Sequence, residues 1–198
     1  MIKAIIFDTD GMVIHREMYF SQRFSQEFGI PMEKVLPFFK NEFQLCLVGK
    51  ADLKQELAKY LNQWNWKKSV DDLLAYWFEY ESKTDEKMLE SIKVLRSNGI
   101  KCYLHTNNEK YRVQYLLDKV GLKNFFDGAF SSAQIRYKKP QQEFWSVVYK
   151  QIGVPEKSEI VVWDDDQENI ESAKSFGFVS EVYSDFDSYE SRMKSLVG

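Results

Sequence analysis

Two aspartates lie close to the start of the chain, directly after a short apolar run. Ala4–Phe7 is typical of a buried strand in a parallel sheet, and Asp8 and Asp10 follow it. Residues two apart in an extended segment point to the same side, so the two carboxylates can meet at one site. Carboxylates that close repel each other unless a cation or a proton separates them. The pair therefore indicates a metal site, a shared proton, or both.

Three further groups of polar residues lie where predicted strands end or a predicted helix begins. They are, in chain order, Thr106–Asn108, Lys138–Pro140 and Asp164–Asp166. Ligands of open α/β sheets bind beyond the carboxyl ends of the strands. We therefore expect all four groups at the same edge of one sheet.

These residue types fit an attack on a phosphate ester. A carboxylate can attack phosphorus and form an aspartyl phosphate, which splits one difficult displacement into two easier ones. The attack brings an anion toward an anion, so a cation such as Mg²⁺ is needed nearby, and a second acid can protonate the leaving oxygen. The candidates for these roles are Asp8 or Asp10, Asp164 or Asp165, Lys139 and Thr106.

Taken together, the four groups resemble the motifs of the haloacid dehalogenase-like hydrolase superfamily, in the same order and over essentially the whole chain. The matching positions are Asp8-x-Asp10-Gly11, Thr106 with Asn107, Lys139-Pro140 and Asp164-Asp165-x-x-x-Asn169. The resemblance implies that Asp8 is the nucleophile and that Asp10 is the general acid and base. An acid at position 10 points to phosphate esters, because the dehalogenases and phosphonate-cleaving members lack one there.

The resemblance also implies the ligands of the site. By it, Mg²⁺ is the cofactor, held by Asp8, the backbone carbonyl of Asp10 and Asp165, with Asp164 nearby. The groups implied to bind the transferring phosphoryl group are Thr106, the backbone at Asn107, and Lys139.

The elements that must position these groups alternate along most of the chain. Strand-like runs occur at Ala4–Phe7, Cys102–His105, Ala129–Ser131, Ile160–Trp163 and Val179–Tyr183, and helix patterns at Glu86–Ser97, Lys110–Val120, Gln142–Gln151 and Glu168–Phe176. This alternation is typical of βαβ units. We expect an α/β fold in which a Rossmann-like parallel sheet carries helices on both faces.

One stretch interrupts the alternation. His15–Lys83 shows only amphipathic helix patterns, and it is rich in aromatic residues. A module of this size needs large side chains to fill its own core, although some of them can line a substrate pocket. We expect a core domain of residues 1–14 and 84–198, with residues 15–83 inserted as the helical cap that the family resemblance implies.

Two residues of this stretch are further candidates for substrate contact. His15 lies at the expected cap hinge, just past the first strand, and Lys50 follows Gly49 on a predicted loop. The simpler interpretation of His15 is an ordinary surface residue.

The composition and charge of the chain limit the classes of binding partner that we expect. The chain of 198 residues has a net charge of −3 and no block of lysine or arginine, which argues against a nucleic-acid partner. We find neither a leader pattern nor an apolar run long enough to span a bilayer, so we expect a cytoplasmic protein without a membrane partner. Cys46 and Cys102 lie among apolar residues and are expected to be reduced thiols. The expected partner is a small phosphorylated metabolite.

Three alternatives use the same residues. A sugar phosphomutase of the same family also has an acid at position 10, so Asp10 does not separate the two reactions. A phospho-accepting receiver domain combines acids, Mg²⁺, a threonine and a lysine, but its paired acids lie at the first strand and its acceptor aspartate later, and it has no place for a helical insert. A catalytically silent relative is the third alternative, although no expected core residue is missing.

Overall fold

The computed structural model describes residues 1–197, and a parallel sheet forms its centre. In that range the strands are β1 (Ala4–Asp8), β2 (Ile14–His15), β3 (Lys83–Thr84), β4 (Lys101–Thr106), β5 (Gly128–Ser131), β6 (Ile160–Asp164) and β7 (Val179–Val182). Five of them form one sheet in the order β5-β4-β1-β6-β7, with every neighbouring pair parallel. The expected parallel α/β sheet is confirmed.

Helices connect the strands. Within the same range they are α1 (Phe20–Phe28), α2 (Met32–Lys40), α3 (Glu42–Leu47), α4 (Leu53–Ala58), α5 (Val70–Tyr80), α6 (Glu86–Ser97), α7 (Lys110–Asp118), α8 (Ser132–Ile135), α9 (Gln142–Ile152), α10 (Gln167–Phe176) and α11 (Phe186–Val197). Sequence patterns had not indicated α8 or α11, or the two short strands β2 and β3. Helix α11 buries only Tyr189 and Met193, so its apolar stripe is narrow.

The central strands β1 and β6 are buried along their whole length. Because successive side chains of a strand point to opposite faces, each strand contributes to two apolar clusters. On one face Ile5 and Phe7 pack with residues of α6 and α11, such as Ile92. On the other face Ala4 and Ile6 pack with residues of α9 and α10. Helices thus cover both faces, as expected.

Five helices, α1 to α5, lie between β2 and β3. These two strands pair in antiparallel fashion, Ile14 opposite Thr84 and His15 opposite Lys83, so the chain leaves and re-enters the sheet domain side by side. Residues 16–82, here called the helical insert, have an apolar cluster of their own, in which Trp64 and other aromatic side chains pack together.

Two composition-based expectations concern membranes and thiols. Among residues 1–197 no helix is both long enough and apolar enough to cross a bilayer. Cys46 and Cys102 are both free and buried, the first in the cluster of the helical insert and the second in strand β4 of the sheet.

Candidate active site

The carboxyl ends of β1, β4 and β6 open into one cavity of about 560 Å³ between the sheet and the helical insert. It is lined from the sheet side by Asp8, Asp10, Thr106, Asn107, Lys139, Asp164 and Asp165. These are the residues expected to act there. They converge because β1 lies between β4 and β6, which brings three strand ends together.

Lys139 lies at the centre of the charged groups. Its Nζ atom is 2.7 Å from Asp8 Oδ1 and 2.8 Å from Asp164 Oδ2, and all three side chains are buried. The side-chain amide of Asn107 holds the lysine in place, because its Oδ1 accepts from the Lys139 N–H and its Nδ2 donates to the Lys139 carbonyl, each at 3.0 Å. One ammonium group therefore joins two carboxylates from neighbouring strands.

The site contains more negative than positive charge. Burial raises the pKa of Asp8 well above its usual range and Asp164 adds to the effect, although Lys139 acts in the opposite direction. Burial also raises the pKa of Asp165, as does Asp164. Burial alone would have the same effect on Asp164, but Lys139 brings the pKa of Asp164 below its usual range. A second cation would stabilise the ionised forms of Asp8 and Asp165.

Asp8, His105 and Asp164 bring potential ligand atoms within 4.8 Å of one another. Lys139 already contacts both carboxylates of this trio, so its ammonium group supplies the positive charge there. Burial lowers the pKa of His105 to about 3, so the ring is neutral, and its Nε2 lies 2.9 Å from the Trp163 carbonyl and donates to it. Imidazole is also a poor ligand for Mg²⁺, which prefers oxygen. This trio is therefore not the best place for magnesium.

Asp165 offers a better carboxylate for a hard cation. The oxygens of Asp164 are engaged by Lys139, by Asn169 Nδ2 at 3.1 Å and by the Asp166 N–H at 2.9 Å. Asp165 instead faces the turn after β1, where a Cβ atom on Gly11 would lie only 2.1 Å from its Oδ2. The donor set of Asp8, the Asp10 carbonyl and Asp165 consists of oxygen alone and fits Mg²⁺.

Asp10 is held by Asn108 and by two arginines that sequence patterns had not indicated. Asn108 Nδ2 donates to Asp10 Oδ2 at 2.7 Å and contacts Thr106 Oγ1 at the same distance. Two guanidinium groups, of Arg16 and Arg112, each lie 3.6 Å from Asp10 Oδ1. Asn108 belongs to a motif already recognised, whereas nothing local in the sequence distinguishes the two arginines.

The structure gives no support to the expected contact of His15 and Lys50 with substrate, which stays a prediction. His15 Nε2 lies 2.7 Å from Asp85 Oδ2, because the pairing of β2 with β3 brings the two residues together. Lys50 is exposed. In the part of the chain that the structure describes, neither lines the cavity.

The insert contributes the opposite wall. Aromatic rings of Phe20, Phe39, Phe43 and Trp77 line it together with the amide of Gln44. The Gln44 side chain also accepts a hydrogen bond of 3.0 Å from Lys138 Nζ, which joins the insert to the segment that carries Lys139. A ligand in the cavity would therefore lie between charged groups on one side and mostly apolar rings on the other.

The sequence of this chain is similar to the sequences of known proteins. The profile of the haloacid dehalogenase-like hydrolases matches residues 2–177. A phosphorylated carbohydrates phosphatase from Thermotoga maritima is 26% identical over 191 residues, which cover 92% of this chain and 84% of that protein. A sesquiterpene phosphatase from Aspergillus oryzae is 30% identical over 116 residues, 59% of each chain.

The fold is also similar to a solved structure. An enzyme of the same family from Bacteroides thetaiotaomicron, a variant crystallised with magnesium and inorganic phosphate, superimposes with a TM-score of 0.80 at 16% identity. The match covers 96% of this chain and 99% of that one.

Proposed function

Because the chain belongs to the haloacid dehalogenase-like hydrolase family, we propose that it hydrolyses a small phosphate monoester through an aspartyl phosphate on Asp8. The observation that carries the proposal is the contact of Lys139 Nζ with Asp8 Oδ1 at 2.7 Å and with Asp164 Oδ2 at 2.8 Å. It puts a buried carboxylate and a cation at the sheet edge where a phosphate would bind. Asp10, Thr106 and Asn107 line the same cavity.

The first half of the reaction transfers the phosphoryl group to the protein. A carboxylate oxygen of Asp8 bonds to phosphorus while the bond from phosphorus to the leaving oxygen breaks. Asp10 donates a proton to that oxygen, which leaves as an alcohol. Thr106, the backbone N–H at Asn107, and Lys139 bind the other phosphate oxygens.

The second half regenerates the free aspartate. Asp10, now a carboxylate, takes a proton from a water molecule whose oxygen bonds to phosphorus. The bond between phosphorus and Asp8 then breaks and inorganic phosphate is released. The hydrogen bond from Asn108 to Asp10 keeps the carboxylate beside Thr106 during both steps.

Mg²⁺ is the proposed cofactor, and Asp8, the backbone carbonyl of Asp10 and Asp165 would hold it. Bound there, the ion neutralises charge between the carboxylate and the incoming phosphate. Support comes from the all-oxygen donor set and from the excess of buried negative charge. The related enzyme from Bacteroides thetaiotaomicron was crystallised with magnesium and phosphate.

We further propose that residues 15–83 act as a cap domain over a core of residues 1–14 and 84–198. Its separate apolar cluster and the paired strands β2 and β3 support this division. Rings such as Phe39 and Phe43, with the amide of Gln44, would contact the leaving group. Aromatic faces pack on the C–H faces of sugars, so a phosphorylated carbohydrate, the substrate class named for the Thermotoga maritima relative, is the first to test.

A substrate panel tests the proposal. Purified protein with Mg²⁺ is incubated with phosphorylated sugars, nucleotides and other metabolites, and released phosphate is measured. Release of phosphate from at least one ester, abolished by chelator, is expected. An isomerised sugar phosphate with little free phosphate would indicate a phosphomutase instead, and a stable phosphoprotein without turnover would indicate a phospho-accepting module.

A further inference from the structure

Arg112 is a buried arginine that the proposed reaction does not use. It lies in the first turn of α7, its side chain is 4% exposed, and its Nη2 is 3.6 Å from Asp10 Oδ1. Its Nη1 donates to the Phe78 carbonyl at 3.1 Å, and its Nη2 donates to the Glu81 carbonyl. Both carbonyls belong to the C-terminal end of α5, the last helix of the helical insert. One side chain thus joins the insert to Asp10.

The chemistry of the contact explains why an arginine is suited to it. The last carbonyls of a helix have no partner within the helix and carry partial negative charge, so they favour a cation. The guanidinium group is a planar fork whose nitrogens keep fixed directions. When Phe78 and Glu81 accept from two of its nitrogens, the orientation of the whole group is set. The end of α5 therefore determines how the guanidinium of Arg112 faces Asp10.

Asp10 is held from both sides of its carboxylate. Asn108 Nδ2 donates to Oδ2, while the guanidinium of Arg112 faces Oδ1. The guanidinium lies 3.6 Å from Asp10 Oδ1, so the two groups form an ion pair once Asp10 has given up its proton. The orientation of the Asp10 carboxylate thus depends on a residue that itself depends on the docked insert.

We propose that Arg112 is a positioning residue, which directs the Asp10 carboxylate toward the leaving oxygen when the end of α5 is docked on α7. The proposal rests on the proposed function, in which Asp10 protonates that oxygen. Closure of the insert then does more than exclude water, because it also completes the geometry of the acid.

A second contact between the insert and α7 supplies a matched control. Asp52, at the start of α4, lies 2.6 Å from Lys110 Nζ and accepts a hydrogen bond of 2.8 Å from Tyr111 Oη. These groups are neighbours of Arg112 on the same turn of α7, yet Asp52 does not line the cavity. Asp52→Asn weakens only this contact between α4 and α7, and it leaves in place the contacts of Arg112 with Phe78, Glu81 and Asp10.

Two esters separate positioning of the acid from general stabilisation. The kcat/KM value is measured with Mg²⁺ for p-nitrophenyl phosphate, whose phenolate leaves without a proton, and for an alkyl phosphate from the active panel, whose alkoxide needs one. Arg112→Gln is expected to lower kcat/KM about 10-fold more for the alkyl ester, because general acid catalysis contributes about 100-fold or more. Asp52→Asn is expected to change both values by the same factor.

If the Arg112→Gln variant does not fold, Arg112→Lys is measured in its place. Lysine keeps a positive charge in the buried position, but its single ammonium group cannot contact both carbonyls and Asp10 together. The same preference for the aryl ester is expected, to a smaller extent. Equal losses on both esters in a folded Arg112 variant, or no loss, would overturn the proposal. A wild-type protein that hydrolyses neither ester would instead overturn the proposed function.

Discussion

The side-chain amide of Asn107 pairs with the backbone of Lys139 through two hydrogen bonds, each 3.0 Å long. Asn107 follows β4, whereas Lys139 lies in a segment beyond α8, so the pair connects two parts of the site that are distant in sequence. The position of the lysine between Asp8 and Asp164 therefore depends on an amide that has no direct part in bond breaking.

Asn107→Ala tests this dependence, because it removes both hydrogen bonds and leaves the backbone N–H at position 107. We expect kcat to fall about 10- to 100-fold, since leaving buried polar groups unpaired costs about 1–3 kcal/mol. Steady-state kinetics on the best ester measure the change. An unaltered kcat in a folded variant would show that Lys139 is positioned without Asn107.

The turn after β1 requires glycine at position 11, because its backbone conformation and the nearby Asp165 carboxylate leave no room for a side chain. Its φ angle is +96°, and a Cβ atom would lie 2.1 Å from Asp165 Oδ2, so Gly11→Ala must displace that carboxylate. We expect loss of turnover at ordinary Mg²⁺ concentrations, with partial recovery at high concentrations. Gly29→Ala is the matched control, because Gly29 has a φ of +62° but nothing within 4 Å of the added atom. Equal activity of the two variants would contradict the assignment.

Asp165 and Asp166 are adjacent acids with different surroundings. Asp166 caps α10 by accepting from the Glu168 N–H at 2.8 Å, a role that asparagine also fills, whereas Asp165 faces Gly11. We expect Asp165→Asn to raise the Mg²⁺ concentration for half-maximal activity at least about 10-fold, the lower end of what even an outer-shell partner contributes. Asp166→Asn should leave the Mg²⁺ titration unchanged. A higher Mg²⁺ requirement in the Asp166→Asn variant than in the Asp165→Asn variant would instead assign the metal to Asp166.

Glu109 links stability to pH. It is buried at the start of α7, where it accepts from the Tyr111 and Arg112 N–H groups, and burial raises the pKa of its carboxyl to about 7. The folded state therefore retains this proton more tightly than the unfolded state, so stability falls as pH rises from about 4.5 to about 7. Glu109→Gln does not titrate and keeps one oxygen that accepts from one of the two N–H groups, so it should remove up to about 3 kcal/mol of this decrease.

Denaturant unfolding of both proteins at pH 5 and pH 7.5 measures the effect. The free energy of unfolding should differ less between the two pH values in the Glu109→Gln variant than in the wild type. Identical pH dependence of the two proteins would show that the carboxyl of Glu109 titrates alike in the folded and unfolded states.

The sheet and the main site groups could be predicted from sequence because their signals are local. Each apolar run that ends in polar residues, such as the one before Asp8, predicts a buried strand with site residues at its carboxyl end. In a parallel sheet these ends meet at one edge, so the convergence of Asp8 with Thr106 and Asp164 follows from topology. Lys139 lies beyond α8 and not at a strand end, and its place in the site was expected from the family resemblance.

The remaining features depend on contacts between distant segments. His15 bonds to Asp85, 70 residues away, because two-residue strands pair there, and no sequence pattern marks strands so short. The sequence pattern of α7 does not indicate that Arg112 is buried, because its burial depends on the packing of α5 against α7. Helix α11 was missed because its two buried residues, Tyr189 and Met193, form too narrow a stripe among polar side chains.

Chemical trapping of the intermediate tests the central claim most directly. The protein is mixed with Mg²⁺ and its best ester and then treated with borohydride, which reduces an acyl phosphate to the alcohol and so converts the phosphorylated aspartate to homoserine. Peptide mass spectrometry is expected to find homoserine at position 8, dependent on the ester and missing from the Asp8→Asn protein. Steady release of phosphate with unmodified Asp8, or homoserine at another aspartate, would contradict the account.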